Sequence, residues 1–172
     1  MSIQLPGKPR DQSVSVGILI HNDRVLIGLR PTGVRLGGFW EFPGGKLEAG
    51  ETPQSCLQRE LREELGLEVE ILQQLPELTH ADADLTVHIR PFLCRIAPGA
   101  GPDITDALWP HVHGRANDEL RWVRPAELRN YAFPPANQPL LATLAELLNR
   151  VPAASPPPPA GARRRAQGKT DR

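Results

Sequence analysis

The sequence predicts an α/β fold. Strand-like and helix-like runs alternate along the chain, and the helix-like runs have start and stop residues at their ends. At 172 residues, 40% apolar and 23% charged, the chain suits one buried core and is short for two ordinary domains. No apolar run approaches the roughly 18 residues of a membrane span. The opening MSIQLPGKPR has no apolar stretch of the kind a secretory leader needs.

Residues 14–20 and Arg24–Leu29 are β-rich and flank His21-Asn22-Asp23, a hairpin signal. A glycine-rich loop over residues 32–50 follows. Thr52 is a natural N-cap, Pro53 suits the first helical position and Gly66 suits the stop, so a helix is predicted from Pro53 to about Leu65. Its Leu57, Leu61 and Leu65 form a stripe for burial against a sheet. Strands are predicted at 68–74, at Leu85–Ile96 and at 120–123. A last amphipathic helix, Gln138–Arg150, presents Leu140, Leu141, Leu144, Leu147 and Leu148 on one side.

The formal net charge is zero but unevenly spread. Residues 151–172 hold Arg163, Arg164, Arg165, Lys169 and Arg172 against one acid, Asp171. Removing these from 20 basic and 20 acidic residues leaves 15 and 19, so residues 1–150 carry −4 and the tail +4. With five of the 19 prolines and no aromatic residue, the tail is expected to stay disordered. The expected division is an N-terminal extension at 1–12, a folded domain at 13–150 and a Pro/Arg-rich tail at 151–172. Arg163–Arg165 fit a polyanion anchor or a solvated terminus; against a −4 body, no stable nucleic-acid partner is expected. Cys56 and Cys94 match neither a CxxC site nor a disulfide scaffold, and a reducing cytoplasm is the expected setting.

In the first predicted helix Glu60, Glu63 and Glu64 stand at i, i+3 and i+4, on a sector about 100° wide. Such a trio is either a solvated face balanced by Arg59 and Arg62 or a hard-oxygen site for Mg²⁺ or Mn²⁺, and spacing alone fits both. Glu51 adds a carboxylate just before the helix. His21, His80, His88, His111 and His113 are read as loop histidines, since HxH alone is a weak metal signal. Cys56 has no base beside it in the sequence and is read as packing.

The wider pattern is more specific. GKLEAGETPQSCLQRELREELGL, starting at Gly45, fits G-x5-E-x7-R-E-U-x-E-E-x-G-U at Gly45, Glu51, Arg59, Glu60, Leu61, Glu63, Glu64, Gly66 and Leu67. In this the chain resembles the Nudix hydrolases. FWEFPGGKLEAGETP and FPPANQPLL, the latter at 133–141, extend the resemblance to MutT-type 8-oxo-dGTP diphosphatases over about residues 13–150.

The resemblance implies an α/β/α sandwich with a mixed β-sheet and metal-dependent hydrolysis of 8-oxo-dGTP to 8-oxo-dGMP and pyrophosphate. It implies that Glu60, Glu63, Glu64 and the Gly45 carbonyl hold Mg²⁺, with Mn²⁺ as a substitute, and that Glu51 and Arg59 support them. Glu60 or Glu63 is the candidate water-activating base. Arg30 matches a substrate-contacting arginine, with a guanidinium suited to phosphate. Asn137 matches the base-reading asparagine; an amide offers a donor and an acceptor, though Asn here also suits a helix N-cap. Phe133 is a candidate wall of the base pocket or plain core. A further family glutamate falls at Ala116, leaving Asp118 or Glu119 to replace it, or the ligand missing. The other readings are a Nudix enzyme for dNTPs, ADP-ribose or dinucleoside polyphosphates, and a catalytically silent nucleotide-sensing module. A cytoplasmic monomer with a nucleotide substrate is expected.

Overall fold

The computed structural model describes residues 10–98, 117 and 119–150. In chain order these form β1 (Arg10–His21), β2 (Arg24–Leu29), β3 (Trp40–Glu41), β4 (Gly44–Lys46), α1 (Pro53–Leu65), β5 (Val69–Gln74), β6 (Leu78–Ala81), β7 (Leu85–Ile96), β8 (Glu119–Val123) and α2 (Gln138–Arg150). Short 3-10 turns at Pro125–Asn130 and Pro135–Asn137 precede α2. Ala116, Asp118, His111, His113, residues 1–9 and the 151–172 tail lie outside the described residues.

The described strands make one mixed sheet. Along it the order is β3-β2-β1-β7-β5, with β4 paired to β1, β6 to β7 and β8 to β2. β1 and β7 run parallel from Arg10↔Leu85 to Ile20↔Arg95, while the other pairs are antiparallel. β1 joins β2 through Asn22 and Asp23, at φ 46° and 60°. A two-residue turn matching the strand twist needs positive φ at both positions, and Asn and Asp tolerate it. β1 starts at Arg10, inside the stretch expected to precede the domain. Its polar first turn lacks apolar alternation and is strand because it pairs with Leu85–His88.

Strand periodicity sorts the core into two layers. Ile18, Val25 and Ile27 pack with Leu140 and Leu144 of α2; Leu19 and Leu26 pack with Leu57, Leu61 and Leu65 of α1. Neighbouring residues thus feed opposite faces, and the fold is the expected α/β/α sandwich. Leu141 and Leu147 pack at the edge of the α2 layer; the side chain of Leu148 lies outside the described ones. Leu61 is fully buried, so Leu61→Ala would cost about 2–5 kcal/mol.

α1 is bounded as its ends predict. The Thr52 hydroxyl accepts the Ser55 N–H and the Ser55 hydroxyl accepts the Thr52 N–H. Gly66 closes the helix in the left-handed region at φ 67°, its N–H reaching the Arg62 carbonyl. These caps fix the rotation of α1: leucines meet the sheet and glutamates meet the β4 loop.

Candidate active site

Arg59 is the centre of the acidic cluster. Its guanidinium grips Glu51 at both oxygens (2.7 and 2.9 Å), donates to Glu60 Oε1 at 2.9 Å and Glu63 Oε2 at 3.3 Å, and reaches the Lys46 carbonyl at 3.2 Å. The bidentate pair ties the loop before α1 to the helix itself. This bonding, reinforced by the Glu48 N–H at 3.0 Å, pulls the Glu51 carboxyl down to about 2. Three of the predicted carboxylates therefore meet through the Arg59 guanidinium.

Gly45 faces the same cluster. A Cβ at this position would lie 2.1–2.5 Å from the Glu60 carboxyl atoms, so only glycine lets the β4 backbone come this close. β4 is held to β1 by pairing of Gly45 with Ser15, whose hydroxyl also donates to the Pro53 carbonyl at 2.8 Å. Cys56 Sγ donates to the Lys46 carbonyl at 3.3 Å, and desolvation keeps this thiol above its ordinary value. Packing is its role, as expected. Cys94 is buried too, pushed up to about 12, and both thiols are free.

Glu64 is different from its neighbours. Burial, then the charges of Glu60 and Glu41, push its carboxyl up to about 7, with Glu63 adding to the effect and a Gly44 backbone hydrogen bond opposing it. The negative charges that raise the proton affinity of Glu64 also attract a divalent cation. The carboxylate donors are all oxygen, and the Gly45 backbone approaches Glu60 closely; both fit Mg²⁺ or Mn²⁺. Among the described residues no group of three His, Cys, Asp or Glu side chains is already gathered for an ion. Glu60 and Glu63 are turned to Arg59, and Glu63 is 60% exposed, free to swing.

Beyond Gly45 a cleft of about 420 Å³ opens across β1 and β7, and Arg30, Glu41 and Asn137 line it. Val14, Val87 and Ile89 make an apolar floor, and Pro134 and Pro135 form part of the wall. Its size and its few convergent polar groups suit a nucleoside. Asn137 is only 8% exposed and directly precedes α2, so cap position and cleft position coincide. Phe133 does not line the cleft; it is buried against Phe42, which does, with ring centroids 5.2 Å apart.

Three residues at or just behind the cleft carry no clear signal in the sequence. Glu41 ion-pairs with Arg30 and accepts a hydrogen bond from the Asn117 amide at 3.1 Å. Arg35 ion-pairs with Asp82 of the β6–β7 turn, and its carbonyl accepts from Arg30 Nε at 3.1 Å. Only the EFPGG context hinted at Glu41; Asn117 and Arg35 stand in segments without periodicity. Glu119, expected as a possible replacement ligand, is on β8 and ion-paired to Arg121. His21, His80 and His88, expected in loops, stand instead on β1, β6 and β7: His80 lines the cleft, and His88 lies between Asp11 (3.7 Å) and Glu77 (3.5 Å).

Comparison with known proteins agrees with this geometry. The NUDIX domain family model matches residues 15–143. A putative 8-oxo-dGTP diphosphatase 2 of Mycobacterium tuberculosis is 37% identical over 151 residues, covering 81% of this chain and 92% of that protein. The CTP pyrophosphohydrolase of Escherichia coli is 31% identical over 140 residues, covering 81% and 96%. A solved structure of MutT from Aliivibrio salmonicida and Vibrio cholerae is 31% identical, covers 80% of this chain and 99% of that one, and superposes with a TM-score of 0.56. The caps that aim α1, the arginine-centred carboxylates and the adjoining cleft are thus those of a family member: the chain belongs to the Nudix hydrolases, in their MutT-like branch, enzymes acting on phosphoric anhydrides.

Proposed function

We propose that the protein is a Mg²⁺-dependent nucleoside triphosphate pyrophosphohydrolase whose substrate is 8-oxo-dGTP, cleaved to 8-oxo-dGMP and pyrophosphate. The observation that carries this reading is that Arg30 and Asn137 line one cleft bordered by Gly45, beside the α1 carboxylates. Phosphate chemistry and base recognition are therefore contiguous. The relative named for 8-oxo-dGTP supports the base assignment.

Glu60, Glu63, Glu64 and the Gly45 carbonyl would hold the cation, exchanging the Arg59 contacts of Glu60 and Glu63 for it. When bound, the ion supplies charge neutralisation at the phosphate oxygens and activation of water. Arg30 binds phosphate oxygens. The Asn137 amide pairs with the purine edge and thereby orders the nucleotide relative to the carboxylates. Glu51 and Arg59 hold the helix and loop in register. Water attacks the β-phosphorus, its proton passes to Glu60 or Glu63, and the bond to the nucleoside monophosphate oxygen breaks. Removing 8-oxo-dGTP from the nucleotide pool would avoid mutation; a cytoplasmic monomer is the form proposed.

Pyrophosphate release measured with Mg²⁺ across 8-oxo-dGTP, dGTP, CTP and ADP-ribose tests this. Preference for 8-oxo-dGTP over dGTP by kcat/KM is expected, and no preference overturns the assignment. A second reading, hydrolysis of CTP, has the Escherichia coli relative in its favour; it wins if CTP has the highest kcat/KM.

A further inference from the structure

We propose that Asn117 is a positioning residue for substrate binding: its buried amide fixes Glu41, and Glu41 fixes the Arg30 guanidinium at the cleft. Asn117 is 9% exposed, so its amide needs a polar partner, and Glu41 Oε1 provides it at 3.1 Å. The other Glu41 oxygen holds Arg30 Nη1. Among the described residues each carboxylate oxygen therefore has one partner, the first from the segment before β8 and the second from the end of β2. Glu41 stands on a two-residue strand, where little backbone restrains it.

Gly28 makes room for this arrangement. It lies opposite Glu41 in the β2–β3 pairing and opposite Leu120 in the β2–β8 pairing. A Cβ at position 28 would meet the Asn117 amide at 2.6–2.8 Å, so any side chain there displaces it. Arg30 is held a second time through Nε, by the Arg35 carbonyl at 3.1 Å. A long, flexible cation is thus presented in one orientation before substrate arrives, which lowers the ordering cost of binding. Arg30 lines the cleft and Asn117 does not, so the amide acts only through its neighbours.

The inference rests on the triphosphate role of Arg30 proposed above, but not on the identity of the base. Asn117→Ala should raise KM about fivefold or more with kcat within about twofold, and should weaken binding of α,β-methylene-dGTP in parallel. Gly28→Ala, with Asn117 intact, should raise KM in the same way. In an Arg30→Ala background, Asn117→Ala should add less than about twofold. Unchanged KM and Kd with a lowered Tm would make Asn117 merely structural and overturn the proposal, as would the same loss with and without Arg30. The cycle is run on 8-oxo-dGTP, dGTP and CTP. Coupling on a preferred CTP would sink the 8-oxo-dGTP assignment and keep this one; absent coupling on a preferred 8-oxo-dGTP would do the reverse.

Discussion

The two halves of the site are built on opposite plans. On the α1 side, Glu51, Arg59, Glu60, Glu63 and Glu64 come from 14 consecutive positions, and one arginine joins Glu51, Glu60 and Glu63. At the cleft, Arg30, Glu41 and Asn137 come from three separate segments, and Asn117, which holds Glu41 from behind, from a fourth; the sheet and the turn before α2 bring them together. The first half is a local cluster that can be inherited as a unit; the second depends on the whole fold and can vary residue by residue. Rate should therefore reside in the helix and substrate choice in the cleft.

The largest effect is expected on the helix side. Glu63→Gln or Glu64→Gln should lower kcat about a hundredfold or more while circular dichroism and Tm stay near wild type. Unchanged turnover would remove these carboxylates from the cation site. On the cleft side, Asn137→Ala should bring kcat/KM for 8-oxo-dGTP toward that for dGTP, with little change for dGTP itself. Equal losses on both would reduce Asn137 to a helix cap.

Glu64 titrates near 7 in the fold against 4.5 in the unfolded chain, so between those values the folded protein keeps a proton that the unfolded chain has lost. The contribution of this group to stability is therefore lost as pH rises through the window. In EDTA, raising the pH from about 5 to about 8 should lower Tm more for wild type than for Glu64→Gln. Added Mg²⁺ should restore more Tm at the upper end, because the ion binds the deprotonated carboxylate. Parallel Tm profiles for the two proteins would contradict the shift.

The smallest effect belongs to the rim of the cleft. Asp82→Ala breaks an exposed ion pair with Arg35, and KM should move by less than about threefold. A larger change would make that ion pair part of substrate binding.

How much was legible follows from the same contrast. The limits of α1 could be read because Thr52, Pro53 and Gly66 act within a few residues of chain. β3 and β4 could not, since WE and GGK become strand only by pairing with β2 and β1. β6 escaped because its four residues are largely exposed and do not alternate. The box carboxylates were visible as a spaced pattern, and Arg30 and Asn137 as motif matches. The Asn117–Glu41 contact spans 76 positions and has no local trace. Such a contact exists only after the sheet has formed.

The division between halves is tested most directly by one ratio, kcat/KM for 8-oxo-dGTP over dGTP, measured in Arg59→Lys and Asn137→Ala. A lysine cannot keep the bidentate grip on Glu51, so Arg59→Lys should lower both rates, by about 10–100-fold, and leave the ratio near wild type. Asn137→Ala should collapse the ratio toward one. A ratio that collapses in Arg59→Lys, or survives in Asn137→Ala, would contradict the separation of rate from choice.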